Sequence, residues 1–260
     1  MTLEELSPLL AESMSMSIWL RSDGLAFSIS RLGQEADQVC GHLPFSSEYL
    51  GHIEALQDLI YAHEWLCYPY QRVYLYYVPT KSVIIPLELY EASRATLWLE
   101  GICLPQEVRV LPEVFPLENK VILSAWDKDL LGFFERIHPP LSPRPYYLPI
   151  IEVQRLQSRR EGCRMLIVSL QGAQLDCIAI SSGDLLCINH YEVCSAGAMH
   201  SVSEMMYYMF LLWQALGFDY KEDVLLCFYE GEAERLEVLC QELRAYIARI
   251  ELAPLSSIVL

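Results

Sequence analysis

From Cys163 to Val193 apolar residues come in three short blocks, each bounded by residues that favour turns. The pattern predicts strands at Cys163 to Leu170, Gln174 to Ile180 and Asp184 to Val193, with turns at Gln171-Gly172 and Ser182-Gly183-Asp184. The spacing then changes. Val202, Met205, Met206, Met209, Leu212, Trp213 and Leu216 recur at i, i+3, i+4 and i+7, the mark of one helical face, and Val224 to Tyr229 reads as a buried strand. Ser201-x-x-Glu204 has the form of a capping box, and Gly217 of a C-terminal stop. Tyr207, Tyr208 and Phe210 make the remaining surface of this helix apolar as well, which predicts burial on more than one side.

The same succession occurs once before. Strands are predicted at Ser17 to Arg21, Leu25 to Ser30 and about Val39 to Leu43, with a turn at Ser22-Asp23-Gly24, then a helix near Ser47 to Leu66 and a strand at Arg72 to Val78. An inserted piece follows, at about residues 82–138. In it Ser82 to Ile85 reads as a strand, Pro86 opens a helix to about Leu99, Glu107 to Phe115 and Val121 to Trp126 read as strands, and Asp127 to His138 as a helix. Pro139, Pro140, Pro143, Pro145 and Pro149 predict an irregular link between a first lobe, 1–145, and a second, 146–260. Beyond Tyr229, Glu230-Gly231 opens a last helix with Leu236, Leu239, Cys240, Leu243, Ile247 and Ile250 on one face; Pro254 ends it, and Ser256 to Leu260 adds a short strand. The expected class is α/β, with two lobes of mixed sheets flanked by helices.

Composition narrows the function classes. Apolar residues make up 53% of the 260, enough for a sizeable core, yet no apolar run approaches the roughly 20 residues that cross a bilayer. The net charge of −16 argues against nucleic acid or an anionic membrane as partner, because both are polyanions. Met1 to Ser17 carries Glu4, Glu5 and Glu12 and no Lys or Arg, which predicts a cytoplasmic protein without a secretory leader. Arg144, Arg155, Arg159, Arg160 and Arg164 crowd the joint; they read as a solvated connecting segment, or alternatively as a docking patch for an acidic partner. Nine cysteines include no C-x-x-C pair, so they read as reduced structural thiols.

The common enzyme fingerprints are absent. No G-x-G-x-x-G turn, G-x-x-x-x-G-K-[ST] loop or G-x-S-x-G elbow occurs. His63 and Cys67 stand four apart on a predicted helix, but without further ligands they do not make a metal site, and no metal site is expected. His190 and His200 read as hydrogen-bonding residues. Asp176 and Asp184 are reserve acids that strand alternation places toward solvent.

Doubled β-β-β-α-β-α units with an insertion in the first resemble the actin-like ATPase superfamily, built of two RNase H-like lobes and including sugar kinases, chaperone ATPases, FtsA and PilM. The resemblance implies a nucleotide between the lobes, its phosphates at the first hairpin turn of each, with an acid holding magnesium. The corresponding residues are Asp23 and Gly24 in the first turn, Ser169 and Gly172 in the second, and Gly231 before the last helix. Several depart from the pattern: Leu25-Ala26-Phe27 replace the small hydroxyl residues, Ser169 stands where the second acid belongs, and Glu230-Gly231-Glu232 replaces a glycine pair. A nearer resemblance rests on S-I-x-L-x-x-D-G-L-x-F-S-I at 17–29, V-I-I-P-L-E-L-Y at 83–90, L-L-C-I-N-H-Y at 185–191 and S-E-M-M-Y-Y-M-F-L-L-W at 203–213. These motifs are similar to an uncharacterised bacterial family with this duplicated plan. Together they imply a catalytically inert interaction or scaffold protein with degenerate turns, no cofactor, and a protein partner or self-association. The alternative is a nucleotide-dependent phosphotransferase or ATPase using ATP and magnesium through Asp23, Gly24, Ser169, Gly172 and Gly231.

Overall fold

The computed structural model describes residues 2–21, 24–31, 34–45, 53–100, 108–193, 198–229 and 234–255, and side chains among these outside 34–37 and 198–201. In chain order the first part runs α1 (Pro8–Ala11), β1 (Met14–Leu20), β2 (Gly24–Arg31), β3 (Gln34–Pro44), α2 (Ile53–Ala62), β4 (Arg72–Tyr77), β5 (Lys81–Pro86), α3 (Leu97–Glu100), β6 (Val108–Phe115), β7 (Lys120–Asp127), α4 (Lys128–Ile137) and β8 (Leu141–Pro145). The rest runs α5 (Leu148–Glu161), β9 (Arg164–Gln171), β10 (Gln174–Ser181), β11 (Asp184–Glu192), α6 (Ala198–Ala215), β12 (Val224–Tyr229), α7 (Glu234–Leu243) and β13 (Arg249–Pro254). The strands form sheets in the orders β3-β2-β1-β4-β8, β11-β10-β9-β12-β13 and β5-β7-β6. Both five-stranded sheets are mixed in the same way: an antiparallel three-stranded meander, then two parallel strands reached through helices.

Each helix lies where its apolar stripe can be covered. Leu56 and Ile60 of α2, with Phe133 and Phe134 of α4, close over Ile18, Phe27, Ile29, Val73 and Leu75 of the first sheet. On the second sheet Leu166, Val168, Leu175 and Cys177 meet Met205, Met209 and Trp213 of α6 and Leu236, Leu239 and Cys240 of α7. Its opposite face, with Ile167, Ile178 and Ile180, packs on Ile150 and Ile151 of α5 and on Tyr146, Tyr147 and Ile122, with Tyr76 and Phe115 at the margin. This third core belongs to both halves at once, so swinging the halves apart would expose it to water at roughly 25 cal/mol per Å² of apolar surface.

Several expectations are corrected. The predicted helix from Pro86 to Leu99 is instead two single 3₁₀ turns and the short α3, because Leu87 N–H stays bonded to Asn119 and only Ala95 and Leu99 find a core. The proline-rich stretch is no irregular link: it forms edge strand β8, and Pro149 sits in the first turn of α5. Tyr146 N–H donates to Tyr77, so alternation turns the hydrogen-less nitrogens of Pro143 and Pro145 to the open side of β8, where a strand needs no donor. Helix α6 begins at Ala198, so its start lies one turn before the predicted cap at Ser201. Its other end is as expected. Gly217 takes φ +63°, Phe218 N–H reaches Trp213 O and Gly217 N–H reaches Gln214 O, a Schellman motif sealed by the Phe218 and Trp213 rings at 5.4 Å. The last helix stops at Leu243, not at Pro254, and Ile250 belongs to β13; the strand predicted at 256–260 lies outside the described residues. Of the helix predicted near Ser47 to Leu66, Ile53–Ala62 is α-helical and Glu64–Cys67 forms a separate 3₁₀ turn, while 46–52 lie outside the described residues.

His138, the C-terminal cap of α4, is buried, and desolvation depresses its imidazole to about 4 despite a backbone hydrogen bond at Leu66. The unfolded chain binds this proton below about pH 6.5 while the folded state refuses it until about 4. Stability linked to His138 is therefore complete above about pH 6.5 and declines as the pH falls, by a limit on the order of 3 kcal/mol. Urea midpoints of wild type and His138→Gln between pH 7 and 4 should converge as acid is added; parallel curves would refute this.

Candidate functional site

The end of β1 and the turn between β9 and β10 border one cleft of about 500 Å³. Arg21, just before the first turn, and Gln171 and Gln174, flanking the second, line it together with Phe45, Leu56 and Tyr77. Asp127 and Asp129 also reach it, but Asp127 is committed: one oxygen accepts Leu130 N–H at 2.8 Å and caps α4.

Of the residues predicted to hold phosphates, Asp23 and Gly231 lie outside the described residues. Gly24 has a different task. A Cβ there would run into the carbonyl of Leu43 and lie 2.8 Å from Pro44 Cα, so its smallness serves the pairing of β2 with β3. Gly172 takes φ +60° with open space around it, because Gln171 pairs with Gln174 and leaves a two-residue turn that needs a positive φ at its first position. The carbonyls of that tight turn are occupied. Its Gly172 carbonyl accepts from Arg235 at 3.2 Å and its Ala173 carbonyl from Val193 N–H at 2.8 Å. Ser169 is buried at 2% exposure beside Gln171 Nε2, at 3.3 Å.

Asp176 overturns its predicted exposure. Ser169, Asp176 and His190 stand opposite one another across β9, β10 and β11, so a carboxylate does lie level with Ser169, one strand over. It is fully buried because this face of β10 is covered by Tyr146 and the shared core. Tyr146 OH donates to its Oδ2 at 2.5 Å; Gln174 Nε2 at 2.8 Å and His190 Nδ1 at 2.6 Å reach its Oδ1. Gln174 Nε2 also donates to Pro79 O at 3.3 Å, tying the second hairpin to the chain just past β4. Burial first, then the neighbouring Asp176, push the Tyr146 phenol well above its ordinary range, so it remains a donor. Tyr147 is likewise raised by burial and shares its hydroxyl with Ser82 at 2.6 Å and Ser124 at 3.3 Å. No residue of this network was legible as a group: the register of two hairpins could have suggested it, had the bulge between Ala179 and Ile180 been known.

Asp184 is exposed, at the start of β11. His63 Nδ1 bonds Leu59 O at 2.9 Å, and among the described residues no three His, Cys, Asp or Glu side chains gather as metal ligands. Three of the five arginines at the joint are engaged within the chain, while Arg159 and Arg160 are exposed in the last turn of α5. Arg155 meets Glu118 and Gly183 O, Arg164 meets Asp223 at 2.6 Å and Gly217 O, and Arg144 lies over the Tyr74 ring. Against ATP and magnesium the second turn does not fit: it has no free acid, and Gln174, with both amide hydrogens donated inward, has only an acceptor left for the cleft.

This architecture is the actin-like ATPase fold. A Bacteroides thetaiotaomicron protein "with actin-like ATPase fold and unknown function" has a TM-score of 0.80 at 22% identity, over 95% of this chain and 93% of its own. A PilM structure from the "PilM-PilN type IV pilus biogenesis complex" has a TM-score of 0.56 at 10% identity, over 94% and 89%. Residues 4–250 match the model of the family described as "Protein of unknown function (DUF3822)", and the chain belongs to that family. No curated protein matches it. Among the described residues no helix is long and apolar enough to cross a membrane.

Proposed function

We propose that the chain is a catalytically inert protein of the actin-like fold whose work is to bind other proteins. The observation that carries this is the state of Asp176: the one carboxylate level with the second turn's acid position is sealed under Tyr146 and saturated by Tyr146, Gln174 and His190. Magnesium bridging to a polyphosphate at this turn needs an acid open to the cleft there; the acids that do line the cleft, Asp127 and Asp129, come from the N-terminal end of α4, and Asp127 caps that helix. The shared core supports the same reading, because cleft closure of the kind that accompanies nucleotide turnover would have to shear Ile122, Tyr76 and Phe115 of the first lobe from the second sheet. Likeness to PilM, solved in complex with PilN, agrees with a protein partner as the ligand.

The test is ATP with magnesium, titrated calorimetrically and by melting. A ligand at 100 times its dissociation constant stabilises by about 2.7 kcal/mol. No shift is expected at cellular ATP levels. Sub-millimolar affinity that is lost in Asp23→Ala would overturn inertness and establish the nucleotide-dependent alternative.

A further inference from the structure

We infer that the groove between α6 and α7 is a docking site for a basic amphipathic segment of another protein; this rests on the reading of the chain as an interaction protein. The two helices lie side by side on the second sheet and leave a groove of about 350 Å³ between the N-terminal half of α6 and the length of α7. Val202, Met206 and Val238 form its floor. One turn beyond Met206, Phe210 meets Tyr246, just past α7, edge-on at 5.3 Å and stops the groove on that side.

Two observations point to an occupant. Helix α6 is apolar nearly all round, a composition that ordinarily goes with burial on several sides. Yet Tyr207 is 63% exposed and Leu211 48%, on the stripe continuing from Ser203 at the groove wall, and Val238 across it is 44% exposed. The charge then selects the partner. Helices α6 and α7 carry four glutamates, Glu204, Glu234, Glu237 and Glu242, against one arginine, Arg235, whose Nη1 bonds the Gly172 carbonyl. A second copy docking face to face would set these acids against themselves, and an anionic membrane or nucleic acid would be repelled. A helix with apolar residues at i, i+3, i+4 and i+7 flanked by Lys or Arg satisfies both floor and rim, in the helix-in-groove manner.

The probe is a labelled synthetic peptide of leucine and lysine at amphipathic helical spacing, read by fluorescence anisotropy against the full chain at low and high salt. Binding that weakens with salt is expected, together with slowed amide exchange over 202–211 and 234–243. Glu234→Lys/Glu242→Lys and Val238→Arg, all at exposed positions and so expected to fold, should each weaken it roughly tenfold or more. Unchanged binding in both variants, equal binding of the glutamate-for-lysine peptide, or no binding by wild type overturns the proposal. So does a dimer in sedimentation that Val238→Arg disperses, since a second copy would then own the face. An ATP titration on the same preparation separates the two ideas. ATP affinity with peptide at the groove refutes inertness alone, whereas neither ligand binding refutes the groove alone.

Discussion

Replacing Asp176 by alanine should lower the melting midpoint by roughly 6–20 °C, from a loss of about 3–5 kcal/mol in a chain of this size. The cost does not come from the lost attraction alone. Alanine leaves Tyr146 OH without its 2.5 Å acceptor and His190 Nδ1 without its 2.6 Å acceptor, both on buried side chains, and takes from Gln174 Nε2 its 2.8 Å acceptor. Each buried donor left unsatisfied costs about 1–3 kcal/mol. Asp176→Asn should lose less, because its carbonyl still accepts from Gln174 or His190 and the Tyr146 hydroxyl can rotate to accept from the new amide. The order wild type, Asp176→Asn, Asp176→Ala in urea midpoint checks the account. An Asp176→Ala protein as stable as wild type would show that the carboxylate is not the hub of the network.

Trp213→Ala should cost a similar amount, about 3–5 kcal/mol. Trp213 is fully buried at the centre of the α6 stripe, edge-on to Phe218 at 5.4 Å and stacked on Tyr220 at 5.9 Å. Its indole Nε1 has no hydrogen-bond partner, so truncation removes an unpaid donor along with the packing, and the loss is almost wholly one of cavity and apolar contact. The ring also carries the contact that seals the Schellman motif, so the helix end should fray with it. Against a typical total of about 5–15 kcal/mol, soluble Trp213→Ala should melt early and broadly. Tyr207→Ala, at the exposed edge of the same helix, should stay within about 0.5 kcal/mol of wild type. Near-equal melting of Trp213→Ala and wild type would mean that the buried face of α6 is wrongly assigned.

Local signals determined most of the strands and their order. The blocks at 163–193 become β9, β10 and β11 within a residue or two, because a two-residue turn with Gly172 and a second with Ser182 and Gly183 at positive φ fix hairpins by themselves. The α6 stripe and its Gly217 stop were readable for the same reason: helix periodicity and a left-handed cap act over a few residues. The motifs at 17–29, 83–90, 185–191 and 203–213 carried kinship with the family, and the fold with it.

What the chain becomes at longer range was decided only in three dimensions. Prolines 143 and 145 are tolerated in a strand because β8 is an edge, and being an edge is a property of the sheet, not of the residues. Arg155 and Arg164 look like a basic patch in one dimension; Glu118 and Asp223, distant in sequence, neutralise them. Asp176 is the clearest case. Alternation alone leaves its face open to solvent, since nothing local says that Tyr146 will fold over it. A bulge after Ala179 shifts β11 by one residue and brings His190, in place of Asn189, opposite the carboxylate. Sequence thus supplied the hairpins and the missing acid at Ser169, whereas the fate of the acid one strand away depended on register, coverage and a core shared by both halves, none of which is local.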